Sequence, residues 1–256
     1  MLILLPPSEG KERPRRGKSI DLDAGPLAVP RRQVRDALVE LCRGPEGHAL
    51  QVLGLSPGQV DDVRSNRRLE ELPSAPAERV YTGVLYEALG LTTLDVSAHR
   101  RALARVAIVS SLYGVVRPGE RVTAYRLSGG VNLPGVGGVA AFWRRQLGPV
   151  VEAMAGRGLV VDLRSTTYTG FWRPSGDLAP RVVTVRVLHE VNGKRQVVSH
   201  FNKATKGRLV RAVLEDGRDV RTPAAFATLL TDLGWQVDTG PRTKTGTQLD
   251  VVVSEL

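Results

Sequence analysis

Short apolar runs separated by helical stretches set the outline of this chain. Leu2 to Leu5 read as a short buried strand: four apolar residues run straight into Pro6-Pro7, and proline cannot donate to a central ladder. Residues 10 to 30, rich in Gly, Pro and charge, predict a long loop. Gln33 to Arg43 carry apolar residues at helical spacing. A second helix is predicted from Pro57 to about Leu69, capped by Ser56 and with Pro57 in its first turn. After a Pro-Ala connector over residues 73 to 80, a helix covers 94 to 104 and leads into a strand over 105 to 110. A glycine-rich loop, Gly129 to Gly138, precedes an amphipathic helix from Val139 to Met154, and Val160 to Leu163 form another strand.

Arg181 to Glu190 and Gln196 to Phe201 alternate as strands. Between them, Val191-Asn192-Gly193-Lys194 offers the positive φ angles of a tight hairpin turn. Two helices, about 204 to 215 and 223 to 234, and a closing strand pair, Trp235 to Asp238 with Leu249 to Val253, complete the pattern. Strands and helices intersperse without regular βαβ alternation, and neither a repeat nor a linker interrupts them. The expectation is one mixed α/β (α+β) domain over residues 1–256, with a central mixed sheet flanked by helices.

Charge changes this picture of an ordinary globular chain. Lys and Arg outnumber Asp and Glu 36 to 26, a net charge of +10, with a pI near 10.3. Such an excess favours polyanions, although a bias toward Arg, Ala, Val and Gly raises it without any nucleic-acid role. Cys42 is the single cysteine and sits in a helical apolar pattern, which excludes an intrachain disulfide and a thiol-rich zinc site. No segment has the apolar length of a membrane span, and the N-terminal run lacks the basic flank of a signal peptide. A cytoplasmic monomer without metal or cofactor is expected.

The chemistry gathers after strands. Ser110-Ser111-Leu112-Tyr113-Gly114-Val115-Val116-Arg117-Pro118 follows the apolar run Val106-Ala107-Ile108-Val109, and Tyr125-Arg126-Leu127 lies just beyond. Hydroxyls and guanidinium groups at a strand exit suit an anion, because arginine pairs with phosphate through two parallel hydrogen bonds. Pro7-Ser8-Glu9-Gly10-Lys11, Tyr81-Thr82-Gly83 and the segment from His200 to Lys206 are three further polar exits. If their strands are sheet neighbours, all four converge on one cleft.

Ser8-Glu9-Gly10-Lys11 fails as a phosphate loop, since Pro6 stands where the first glycine belongs and Glu12 follows the lysine. The four histidines, His48, His99, His189 and His200, have no metal-ligand spacing, and no nucleophile elbow surrounds any serine. Lys203, Lys206 and Gly207 face one way at helical spacing, with Arg208 and Arg211 following, so a helix start there offers an anion both charge and free N–H groups. Arg13, Arg15, Arg16 and Lys18 form a second basic cluster. Leu133-Pro134-Gly135-Val136-Gly137-Gly138-Val139 matches the hairpin and second-helix start of a helix-hairpin-helix element, but Ser128-Gly129-Gly130 makes a poor first helix; a plain turn is the competing reading.

Taken together, these segments resemble the YaaA family of peroxide-stress proteins. The residues that carry the resemblance are Met1-Leu2-Ile3-Leu4 with Pro7 and Lys11, Tyr81-Thr82-Gly83, Leu112-Tyr113-Gly114-Val115, Arg117-Pro118, Tyr125-Arg126-Leu127, Phe142-Trp143, and Ser199 with Lys203 and Gly207. They run from Met1 to about Trp235. The resemblance implies an α/β fold of its own kind with a positively charged cleft, and a cytoplasmic protein that limits oxidative DNA damage by binding DNA. The opening Pro-Pro-Ser-Glu-Gly-Lys and the segment Ser165-Thr166-Thr167-Tyr168 place this chain on a separate branch.

Two functions follow. In the first, DNA or another phosphate-bearing ligand lies in the cleft, held by Lys11, Thr82, Ser111, Arg117, Arg126, Gly135, Gly137, Lys203, Lys206 and Arg208, with Tyr81 and Tyr113 stacking on bases. In the second, an enzyme acts there on a nucleobase, nucleotide or other phosphorylated small molecule, with Ser8, Glu9, Lys11 and Tyr113 supplying acid, base or nucleophile. An interaction module without chemistry is a third, blander possibility.

Overall fold

The computed structural model describes residues 1–20, 25–174, 176–191, 194–196 and 199–253. Strand β1 (Leu2–Leu5) is followed by helices α1 (Ala28–Arg43), α2 (Glu46–Leu53) and α3 (Val60–Asn66). A 3₁₀ turn over Pro57–Gln59 opens α3, with Ser56 at its cap as the sequence predicts, and Gln59 accepts the Ser56 backbone N–H in return. Next come β2 (Ala75–Pro76), α4 (Ala77–Val80), α5 (Val84–Leu89), α6 (Val96–Arg105), β3 (Val106–Ser110), β4 (Gly114–Val116) and β5 (Arg121–Val122). The chain continues through β6 (Asn132–Leu133), β7 (Gly137–Gly138), α7 (Val139–Ala155), β8 (Val160–Asp162) and α8 (Thr166–Thr169). It closes with β9 (Val182–Val191), β10 (Lys194–Gln196), α9 (Ser199–Asp216), α10 (Pro223–Asp232), β11 (Gln236–Thr243) and β12 (Gly246–Val253).

Eight strands share the main sheet, in the order β11-β12-β9-β8-β1-β3-β4 with β10 beside β9. The interior strands β12, β9, β8, β1 and β3 are all parallel, and β4, β10 and β11 join antiparallel. This is the mixed, helix-flanked sheet that the pattern predicts. Register sets the site: Leu4 lies opposite Ala107 on one side and Asp162 on the other, so β1, β3 and β8 end at the same edge. Their apolar residues are buried on both faces, which is why these strands read as continuous hydrophobic runs.

Helices α2 and α5 and the β2–α4 segment are additions to the sequence reading, and three further departures concern its predicted elements. Helix α1 begins at Ala28 rather than Gln33, because Pro30 falls in its first turn, where a missing N–H costs nothing. Residues 199 to 201 open α9 instead of extending a strand, so the hairpin of β9 and β10 stops at Gln196 and His200 is helical. The Asn192-Gly193 turn lies outside the described residues. Finally, the glycine-rich loop forms the β6–β7 hairpin, and no helix precedes it between Val122 and Asn132, so the first half of a helix-hairpin-helix is missing.

Candidate functional site

After β1 the chain leaves the sheet through Pro6 and Pro7 and folds back over α4. Ser8 Oγ accepts the Thr82 backbone N–H at 3.1 Å, and Glu12 donates its N–H to the Val80 carbonyl at 2.9 Å. Those bonds fix Lys11 in a β-bridge with Tyr81 and turn its side chain inward. The ammonium donates to the Ser8 carbonyl at 2.8 Å and stands 4.1 Å from the centroid of the Tyr125 ring and 5.7 Å from that of Tyr81.

A polar pocket of about 190 Å³ opens beside it, lined by Glu9, Lys11, Asp62, Asn66, Tyr125 and Arg126 among others. Arg126 is held at both ends. Its backbone exchanges two hydrogen bonds with the Asn66 amide, at 2.7 and 2.9 Å, and its guanidinium donates to the Glu9 carbonyl at 2.9 Å. The Glu9 carboxylate stands 3.9 Å from the same guanidinium, and Arg13 pairs with Asp62 at 2.7 Å. The lining therefore carries three cations against two carboxylates, with one cation already neutralised by its partner.

Beneath the pocket lies a hydroxyl network that uses every tyrosine of the chain. Tyr125 bonds to Ser110 at 2.7 Å and to Tyr81 at 3.3 Å, Tyr168 to Ser111 at 3.2 Å, and Tyr113 to Thr123 at 2.8 Å; Tyr86 donates to the Pro6 carbonyl at 2.6 Å. Burial pushes all five phenols up, so they stay neutral donors and acceptors at physiological pH. Of these, the Tyr81 and Tyr125 rings form the floor on which Lys11 rests.

Burial also pushes the Lys11 amine down, to about 7; the Glu9 carboxylate pulls it up and the Arg126 guanidinium pushes it further down. Below pH 7 the ammonium is charged in both folded and unfolded chains, and folding carries the cost of burying it. Above pH 7 the folded chain releases the proton before the unfolded chain does, so stability climbs with pH toward 10.5. Lys11→Met removes the buried charge and loses the ring contacts. It is expected to stabilise the protein by about 1–2 kcal/mol at pH 6. That advantage should shrink between pH 7 and 10 in thermal melts of the two proteins.

The remaining sequence candidates divide sharply. Glu9, Lys11 and Arg126 meet at the pocket, Ser8 and Thr82 bond to each other at the base of the loop that carries Lys11, and the Tyr81 ring supports Lys11 from below. Ser111 and Tyr113 are buried in a tight turn between β3 and β4, and do not form an open binding loop. Trp143 Nε1 donates to the Ser111 carbonyl, Arg31 Nε to that of Tyr113, and a Cβ on Gly114 (φ +73°) would sit 2.6 Å from the Trp143 ring. Packing, not ligand contact, thus explains Leu-Tyr-Gly.

Arg117 also leaves the site. Its guanidinium donates to the carbonyls of Ala104 and Val106, at the opposite end of β3. Gly135 lies against α1 beside Asp36, Glu40 and Glu70, an acidic setting unlike a phosphate cradle, and Gly137 belongs to the same hairpin. Lys203 and Arg208 are exposed on α9. Lys206 is partly buried and donates to the Leu163 carbonyl at 3.2 Å, just past the end of β8, and Gly207 is pressed against α5. The single anion-facing row read for Lys203, Lys206 and Gly207 is therefore broken.

The sequence reading missed Asn66, fully buried at the end of α3, and the roles of Tyr125 and Tyr168. The tyrosines stood inside quoted segments, next to arginine or hydroxyls. Asn66 carries no local signal, because its partner lies sixty residues away.

Fold and site define a mixed α/β protein with a lysine-centred polar pocket at the carboxyl ends of its parallel strands. The family model described as peroxide stress protein YaaA matches residues 1–239, and the chain belongs to that family. It is 47% identical to a UPF0246 protein of Streptomyces coelicolor, with both chains covered over their full length. A UPF0246 protein of Corynebacterium efficiens is 39% identical over 93% of this chain and 95% of its own length. One from Corynebacterium glutamicum is 37% identical over 95% and 97%. Among the described residues, no helix is long and apolar enough to cross a membrane.

Proposed function

We propose that this protein serves the response to peroxide stress as a cytoplasmic enzyme. Its substrate is a phosphorylated small molecule, a nucleotide for example, bound in the pocket between Lys11 and Arg126. The observation that carries this reading is the pocket itself: about 190 Å³, with Glu9 set against the two cations Lys11 and Arg126. Such a space suits the phosphate end of one small molecule, whereas a duplex needs a continuous row of unopposed cations. A carboxylate beside an amine of depressed pKa is an acid–base pair poised for work at neutral pH.

Arg126→Ala tests the reading, since Asn66 holds the backbone of residue 126 and not its side chain. Isothermal titration of nucleoside monophosphates should give binding that this variant weakens about 10- to 100-fold, the loss of one charge-assisted contact. Equal affinity in both proteins would refute it. DNA binding is the second reading, favoured by the net charge of +10 and by the exposed Lys203 and Arg208. It requires affinity for oligonucleotides that falls steeply with added salt.

A further inference from the structure

We propose that Lys11 is a covalent nucleophile, and that the pocket takes a phosphorylated aldehyde or ketone whose carbonyl carbon bonds to Lys11 Nζ. This deepens the pocket reading above and rests on it. The chain has six lysines among its 36 basic residues, so arginine is its usual cation. Arginine's planar fork serves an anion clamp well; an amine, unlike a guanidinium, can also lose its proton and expose a lone pair when buried. At position 11 the amine has one hydrogen-bond partner among the described residues, the Ser8 carbonyl, and otherwise faces aromatic rings and the cavity. Arg126 lines the same cavity and supplies the group that would hold a phosphate, so the carbonyl end of a short ligand falls toward Nζ. Desolvation leaves about half of the amine neutral near pH 7.

The step balances without any further reactant. The Nζ lone pair attacks the carbonyl carbon, a C–N bond forms, and the π pair moves to oxygen. Nitrogen loses a proton to solvent and oxygen gains one, giving a carbinolamine. The hydroxyl takes a further proton from solvent and leaves as water while the nitrogen lone pair forms the C=N bond, giving an iminium in which the ligand is activated at the adjacent carbon.

The test incubates the full chain with glyceraldehyde 3-phosphate and sodium cyanoborohydride at pH 7, and maps the reduced adducts by peptide mass spectrometry. Lys11 should be labelled at least about 10-fold faster than Lys203 and Lys244, which are exposed and stand outside the pocket. Inorganic phosphate should slow the labelling, glyceraldehyde without its phosphate should label Lys11 poorly, and Lys11→Arg should lose the adduct. The rate at Lys11 should level off above pH 7. If titration shows that the phosphorylated aldehyde binds and Arg126→Ala weakens it, yet no adduct forms on Lys11, the covalent step is wrong and the pocket reading survives. If the label spreads evenly over the lysines and phosphate neither binds nor competes, both fail.

Discussion

Asp162→Ala is expected to destabilise the protein by about 3–5 kcal/mol, more than any other single change considered for this fold. Asp162 ends β8 and receives the Arg164 guanidinium through two bonds, 2.8 and 2.6 Å long; both side chains are buried. The remaining N–H groups of Arg164 reach the carbonyls of Tyr168 at 2.9 Å and Trp172 at 3.0 Å, and the guanidinium lies over the Trp172 ring. One ion pair thus ties the end of β8 to the segment that delivers Tyr168 to Ser111. Removing the carboxylate leaves a desolvated cation with no counter-charge, whereas replacing both partners with apolar residues avoids that cost. Thermal melts should therefore show Asp162→Ala falling by roughly 10 °C, and the double change Asp162→Leu with Arg164→Met falling by much less. A single variant that melts like the parent protein would show that the pair contributes nothing.

Gly207→Ala is the second large effect, and its cause is backbone contact. Helix α9 crosses α5 so closely that a Cβ at residue 207 would collide with the Leu85 carbonyl oxygen and lie 2.9 Å from the Ala88 Cβ and 3.0 Å from the Leu89 nitrogen. No rotamer change relieves a clash with main chain, so the helices must separate, at a cost near the upper end of the 1–3 kcal/mol typical of overpacking, about 3 kcal/mol. In an exposed helix the same change would be mildly stabilising, since alanine is the better helix former. Denaturant titration should give a lower midpoint for Gly207→Ala than for Gly148→Ala, where α7 leaves open space around the glycine. Equal midpoints would mean that α5 and α9 do not approach this closely. Because α5 follows Thr82 and Gly83, the same change should also loosen the Thr82–Ser8 bond that anchors the loop carrying Lys11.

Much of this architecture could be read from pattern. Runs such as Leu2 to Leu5, Val106 to Val109 and Val160 to Leu163 announce strands buried on both faces, and all three lie side by side in the sheet. Caps and prolines marked the start of α3 well. Periodicity failed where local preference was even: Gln196 to Phe201 alternates like a strand, yet from Ser199 the chain is in α9, where Gly207 packs on α5.

The site was only half legible, for a related reason. Ser8, Glu9, Lys11, Thr82 and Arg126 stand out as polar residues next to apolar runs. But Tyr113 and Arg117, equally conspicuous, serve the β3–β4 turn and the start of β3. Sequence records that a polar group follows a strand; it does not record whether the next strand folds back over it. Asn66 and Tyr168 reach the pocket only through contacts with residues distant in the chain, Arg126 and Ser111, which no local signal reports.

The decisive measurement is a crystal structure of the protein grown with a nucleoside monophosphate. Phosphate density bonded to the Arg126 guanidinium and within reach of Lys11 Nζ is the predicted result. A ligand seated only along α9, at Lys203 and Arg208, with nothing between Lys11 and Arg126, would contradict the account.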